Sequence, residues 1–463
     1  MSTFTLILCV LAMTAVGYVL AWQRSVSVSG GPGQSRKLHS LSSYHGAYTA
    51  LWMTLPVFVM VLVWGMAQQY FIESNLVAQL PQKYQEMTAD ELNLALNEIS
   101  NLATGGITNF EQPDEAAKAA ANEFSRLYQR SALYRTLLGF ALAIAGFVLS
   151  WRRISVEFRA RNRVEKIVRG ILLACSMVAI LTTIGILLSV IFEAIRFFGM
   201  VPLTDFLFGL QWSPQTAIRS DQVGSSGSFG AIPLFSGTLL IAVIAMLVAT
   251  PVGLMTAIYL SEYASKRFRA FAKPALEVLA GIPTVVYGFF AVVTVGPLIA
   301  DTAALVGLEV TQGAALGVGL VMGIMIIPFV SSLSDDVINA VPQAMRDGSY
   351  GLGATQSETI RRVVIPAALP GIVGGILLAL SRAIGETMIV VMAAGLSANL
   401  TANPLESVTT VTAQIVNLLV GDQEFDSAKT LAAFALGLVL FVSTLILNVI
   451  ALHVVRRYRE QYA

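Results

Sequence analysis

The chain has 463 residues, of which 56% are hydrophobic and only 12% charged, and its formal net charge is +1. A soluble domain carries about a quarter charged residues, so this composition excludes one. The net charge identifies no partner until it is placed loop by loop, and no nucleic-acid partner is expected.

The apolar residues come in runs of about 20, separated by short charged stretches, as in a polytopic α-helical membrane protein. A membrane β-barrel would alternate over segments of about ten residues, and these runs do not alternate. In chain order the expected spans are about 3–22, 46–67, 133–151, 170–198, 235–260, 275–299, 314–333, 368–396 and 429–453, nine in all. The first residues, "MSTFTLILCV", lack a positive leader, which favours a retained span over a cleaved signal peptide. Cys9 and Cys175 lie in apolar runs with no second ligand at metal spacing, so neither a metal nor a redox role is expected.

Between the second and third spans, segment 68–130 is acidic, with nine Asp or Glu against four Lys or Arg. Its stretch "TADELNLALNEISNLATGG" pairs a Thr88…Glu91 capping box with apolar residues Leu92, Leu96, Ile99 and Leu102 and a Gly105-Gly106 stop, the pattern of an amphipathic helix. A second helix, "DEAAKAAANEFSRLYQR", runs into the third span. The segment is either a partner-contact surface or a solvated accessory cap.

Basic residues set the orientation. Segment 23–45 carries Arg24, Arg36 and Lys37 with no acid, and 152–169 carries seven basic residues against two glutamates. Segment 261–274 has Lys266, Arg267, Arg269 and Lys273, and the tail has Arg456, Arg457 and Arg459. Lysine and arginine are retained on the cytoplasmic side, so these segments are assigned inside, with the amino terminus outside and the carboxyl terminus cytoplasmic. Segment 334–367, with Arg346, Arg361 and Arg362, falls inside as well. The composition break divides the chain into an accessory unit, 1–151, a basic cytoplasmic linker, 152–169, and a six-span core, 170–460.

The longest inside loop of the core reads "SDDVINAVPQAMRDGSYGLGATQSETIRRVVIPAALPG". Pro342 suits a first helical turn, Gly353 allows a reversal, and Thr355…Glu358 is a capping box that opens a second helix. The loop is therefore expected to be a helix–turn–helix lying on the membrane face. It resembles the cytoplasmic signature of ABC-importer permeases: Asp347-Gly348-Ser349 stands at the Glu-Ala-Ala triplet, Gly353 at the glycine, Val363 at the Ile place, and Ile365-Pro366 at the closing Leu-Pro. The spacing matches throughout; only the triplet departs, with Gly and Ser in place of the alanines. That resemblance implies that these residues dock an ATPase subunit.

The span "LALSRAIGETMIVVMAAG" carries Arg382 and Glu386. A charge at the bilayer centre costs about 2.5–3.5 kcal/mol on insertion scales. At spacing i, i+4 the two would share one helix face and neutralise each other. Either the pair is a structural staple, or Arg382 faces a polar cavity and meets an anion with its planar fork. Of the other charges, Glu193 and Arg196 are expected to snorkel to an interface. Glu262 and Glu277 are expected to pair with the basic loop 266–273.

"FGLQWSP" (208–214), "GTLLIAVIAMLVATPVGLMTAIYLSEYA" (237–264), "LEVLAGIPTVVYGFFA" (276–291) and "LSRAIGETM" (380–388) resemble the phosphate-specific ABC permease family, PstC type. The resemblance spans about 200–455 and leaves the first 150 residues without a function. It implies a type I importer permease core, preceded here by three extra helices, in the bacterial inner membrane. It also implies inward phosphate passage with Arg382 and Glu386 as the pathway pair. Its implied partners are a sister permease, two cytoplasmic ATPase subunits and a periplasmic phosphate-binding protein. No phosphate-cradling Gly-x-x-x-x-Gly-Lys-Ser/Thr occurs in the chain, so any ATP hydrolysis is expected from another polypeptide. The resemblance implies a transport-pathway subunit rather than an enzyme, with ATP and its Mg bound by the partner ATPase and no cofactor in this chain. The alternatives are the same scaffold serving sulfate or molybdate, and an ion-coupled anion transporter with Glu386 as proton relay.

Overall fold

A computed structural model of the chain describes residues 1–31, 38–77, 89–104, 115–216, 226–420 and 427–459. Among these, nine helices are long and apolar enough to cross a membrane. Thr88 of the expected capping box, the Gly105-Gly106 stop and the Arg36-Lys37 pair lie outside the described residues. Chain contacts divide the protein into two compact units, Met1–Ile180 and Leu181–Ala463.

The first unit holds α1 (Thr3–Val28), α2 (Ser42–Val77), α3 (Ala89–Thr104), α4 (Glu115–Arg153) and the first half of α5 (Ala160–Met200). Leu6, Val10, Val57 and Ala143 bury where α1, α2 and α4 pack together. Thr14 and Thr54 hydroxyls bond at 3.1 Å between α1 and α2, satisfying two polar groups that lipid would leave bare. The stripe anticipated on α3 is real: Leu96 and Ile99 are buried against Leu76, Ala120 and Ala121, with Leu92 and Leu102 at the margin. α4 is a single helix of 39 residues, so the acidic segment's second helix does continue into the third span. The basic stretch 152–169 is largely ordered helix: a short turn from Ile154 leads directly into α5 at Ala160.

The second unit continues with α6 (Leu203–Phe208), a hairpin of β1 (Trp212–Thr216) and β2 (Ser226–Phe229), and α7 (Ile232–Ile258), which ends in a π-type turn, Tyr259–Tyr263. The hairpin is an addition to the all-α expectation. Trp212 of the resembling "FGLQWSP" stretch packs edge-on to Phe229 and donates its indole N–H to Gln414 Oε1 at 3.3 Å. There follow α8 (Lys266–Ala280), α9 (Thr284–Phe290), a π-type turn (Ala291–Val295), α10 (Gly296–Ala304) and α11 (Ala315–Asn339). The chain closes with α12 (Gln343–Gly351), α13 (Gln356–Thr359), a third π-type turn (Ile360–Val364), α14 (Ile365–Ile384), α15 (Met388–Ala393), α16 (Val411–Leu419) and α17 (Ala428–Arg459).

The centre of this unit is the α7–α11 pair. Gly319 and Gly323 of α11 lie against Ile244 and Ala245 of α7; a Cβ on Gly323 would stand 2.9 Å from the Ala245 carbonyl oxygen. Ala242, Ala245 and Ala249 are fully buried there. Small residues let two backbones approach without lipid between them, and that contact drives packing in a bilayer.

Two spans differ from expectation. The sixth, read as 275–299, divides: α8 is a separate helix with no buried residue, and the span itself is Thr284–Ala304. Gly281 caps α8, and Pro283 lacks an N–H and holds its predecessor extended, so the helix cannot run through. The eighth, read as 368–396, is instead the continuous helical stretch Gln356–Ile384 and stops at Gly385.

Candidate functional site

The loop after α11 folds as the helix–turn–helix that its spacing implies. Pro342 caps α12, and the reversal passes through Gly353 at φ +83°, a conformation that costs a side-chain-bearing residue about 1 kcal/mol or more. Thr355 and Glu358 form the full capping box: the Thr355 hydroxyl accepts from the Glu358 N–H, and Glu358 Oε2 accepts from the Thr355 N–H at 2.9 Å. The helices are clasped together by the Ser349 and Thr359 hydroxyls, 2.9 Å apart. Asp347, Gly348 and Gly353 lie exposed, while Val363, Ile365 and Pro366 are half-buried at the root of α14.

What fixes this platform is a pair that sequence reasoning missed. Arg346 donates to Glu262 Oε1 at 2.9 Å and to the carbonyls of Val341 and Ile338 at 2.7 and 2.9 Å. The two side chains are only 11% and 10% exposed. Gln356 adds a bond to the Glu262 carbonyl at 2.7 Å. Glu262 therefore belongs to α12, and the expectation that it pairs with 266–273 is corrected. The basic loop has a different acid: Arg269 donates to Asp335 Oδ1 and Oδ2 at 2.8 and 3.0 Å, and Lys273 to Oδ2 at 2.9 Å. Glu277, expected in the same cluster, is exposed and makes no ion pair among the described residues. Asp335 is buried at the end of α11, so it recruits the nearest cations, and its hydrogen bond holds the Lys273 ammonium above its ordinary pKa. No local signal ties Glu262 to Arg346, which stand 84 residues apart. Met345, Tyr350 and Leu352 of the platform are exposed, the last by 91%.

Arg382 and Glu386 do not form the expected pair. An i, i+4 contact needs an unbroken helix, and α14 ends at Ile384. Beyond the break Glu386 turns to cap α15. Its Oε1 accepts from the Met388 and Ile389 N–H groups at 3.1 and 3.3 Å, and its carbonyl accepts from Thr412 Oγ1 at 2.8 Å. These N–H groups would otherwise be orphans of a helix start, and the carboxylate also meets the positive end of the helix dipole. Arg382 is left exposed, with its guanidinium 5.5 Å from the ring centre of Phe329 and no carboxylate partner among the described residues. Near the end of α5, Glu193 and Arg196 pair at 2.8 Å and remain partly exposed.

Comparison with known proteins adds the following. Residues 249–460 match the family described as a binding-protein-dependent transport system inner membrane component, and residues 7–182 match one described as a phosphate ATP-binding cassette transporter. The amino-terminal spans, which carried no resemblance in sequence reading, thus match a family of their own. The chain is 32% identical over 287 residues to a probable ABC transporter permease protein, YqgH, of Bacillus subtilis, covering 61% of this chain and 88% of that protein. It is 34% identical over 284 residues to the phosphate transport system permease protein PstC of Mesorhizobium japonicum, covering 57% and 81% respectively. It also resembles a solved bacterial alginate ABC transporter in complex with an alginate pentasaccharide-bound periplasmic protein, at 19% identity and a TM-score of 0.45, over 64% of this chain and 97% of that one.

Proposed function

The chain belongs to the phosphate-permease branch of the binding-protein-dependent ABC importers, and from that premise we propose that Arg382 is the counter-charge for phosphate in its translocation pathway. The observation that carries this is the state of that side chain. It is a guanidinium fork on an apolar span, beside an aromatic ring and with no carboxylate partner among the described residues, because Glu386 is occupied in capping α15. Such a guanidinium binds phosphate oxygens bidentately. The single cation must bind weakly enough to let the anion leave.

The driving force comes from a separate ATPase subunit, docked on α12, the Gly353 turn and α13. This platform is continuous with α14: Gln356 to Ile384 is one helical stretch. At 1.5 Å per residue, Arg382 lies about 40 Å along it from the platform. A push on α12, held through Arg346 and Glu262, therefore moves the helix that carries the anion site, and the break at Gly385 leaves α15 free to stay behind. The complete transporter pairs this chain with a sister permease, two copies of the ATPase and a periplasmic phosphate-binding protein, with the amino terminus outside and the carboxyl terminus inside. The proton-relay reading of Glu386 finds no support in the partners of its carboxylate, which are the backbone N–H groups of Met388 and Ile389 rather than titratable groups.

The test is phosphate uptake by vesicles holding the assembled transporter, with wild type, Arg382→Gln and an ATPase-dead partner. Uptake should need ATP hydrolysis and be lost in Arg382→Gln. ATP-dependent uptake that persists unchanged in Arg382→Gln would sink the pathway role. Sulfate transported in place of phosphate would sink the substrate.

A further inference from the structure

A second arginine, in the first unit, has no place in the transport scheme. Arg135 stands midway along α4 and is only 5% exposed. An arginine on a membrane-crossing helix ordinarily extends its head to water. This one donates through Nη1 to Gln68 Oε1 and through Nη2 to the Met1 carbonyl, both at 3.2 Å, and its Nε–H makes no hydrogen bond among the described residues. Both acceptors are neutral, and no carboxylate pairs with it among the described residues. A guanidinium cannot escape this by losing its proton. An isolated buried charge is strongly unfavourable unless an opposite charge joins it.

The same side chain lines a cavity of about 410 Å³ that lies wholly within this unit. Its wall alternates polar groups from Gln68, Asn97 and Tyr128 with apolar ones from Leu76 and Phe124. Thr3, the first residue of α1, also faces it, so the positive end of a 26-residue helix adds to the field of the arginine. Two sources of positive potential, an unused donor and room for a small group coincide. From these we infer that the Arg135 cavity is an oxyanion-binding site, taking a phosphate group that is either free or the headgroup of a lipid. Nη1, Nη2 and Nε present a fork suited to such a group. Arg135 lies outside the permease unit, so the site is independent of the transport reading.

The test uses the full chain in detergent, stripped of lipid. Its thermal unfolding midpoint is read in one arm against inorganic phosphate and in the other against dioctanoyl phosphatidylglycerol. A ligand that binds only the folded state raises the midpoint by mass action, here by a few degrees at saturating concentration. Arg382→Gln, which removes the pathway cation, should still gain in at least one arm, and the double variant Arg382→Gln with Arg135→Gln should gain in neither. A gain with phosphate assigns a free anion; a gain with the lipid alone assigns a headgroup. Arg135→Lys keeps the charge without the fork and serves if Arg135→Gln fails to fold; its gain should be at most about half that of wild type. No gain for wild type in either arm overturns the site, as does a gain that survives unchanged when Arg135→Gln or Arg135→Lys is added to Arg382→Gln. Loss of the gain in Arg382→Gln would place the anion in the pathway instead.

Discussion

Replacing Glu262 by glutamine keeps the shape of the platform anchor and removes one charge of the Glu262–Arg346 pair. The guanidinium then stays in a site where only 11% of its side chain meets solvent, with two backbone carbonyls but no anion. Breaking a buried pair from one side costs about 3–5 kcal/mol; the two remaining carbonyl bonds place this case near the lower end, about 3 kcal/mol. Each 1.4 kcal/mol is a factor of ten, so the population of the anchored platform should fall by about a hundredfold. The assay is the affinity of the ATPase subunit for the detergent-solubilised permease, in a double-mutant cycle of Glu262→Gln with Arg346→Met. Each single variant should weaken binding, and the double variant should be no worse than the weaker single one. If the two penalties instead add within about 0.5 kcal/mol, the residues are uncoupled and the anchor account is wrong.

Other perturbations separate the roles assigned above. Gly348→Ala lies in the α12 interior with open space around its Cβ, so it should stabilise the platform by about 1 kcal/mol, whereas Gly353→Ala, forced to φ +83°, should destabilise it by about as much; unfolding midpoints of the free chain read both. Glu386→Ala removes the cap of α15 and should lower the unfolding free energy by about 1 kcal/mol, while Arg382→Gln should leave it unchanged and abolish uptake; equal effects on stability would restore the pairing that the break at Gly385 rules out. Lys273 is held above its ordinary pKa by its bond to Asp335, so its stabilising contribution is complete below that ordinary value and is lost only as pH rises through the higher folded value. The midpoint difference between wild type and Lys273→Met should therefore be constant between about pH 6 and 9; a difference that shrinks toward pH 9 would contradict the raised pKa.

Much of the site was legible in local sequence because the interactions that make it are local. The Gly353 reversal, the Thr355–Glu358 box and the proline at the start of α12 each depend on residues within four positions of one another. The spans were legible for the same reason: about 20 apolar residues in a row are sufficient to define a crossing. The sixth and eighth spans were displaced because hydropathy does not register a helix stop. Gly281 with Pro283, and Gly385, end helices inside runs that remain apolar on both sides.

Composition and the length of the apolar runs therefore determined by themselves that this is a polytopic helical membrane protein, and the motif spacing determined the helix–turn–helix that opens at Pro342 and turns at Gly353. Tertiary structure alone decided which charges belong together. Glu262 finds Arg346 across 84 residues, Asp335 gathers Arg269 and Lys273 across more than 60, and Glu386 gives up Arg382 for the backbone of α15. The physical reason is desolvation. In water any of these pairings would be nearly equivalent, but once buried each charge must take the partner that the packed helices bring within about 3 Å. Where packing brings none, as at Arg135, the charge is left to be met by a ligand.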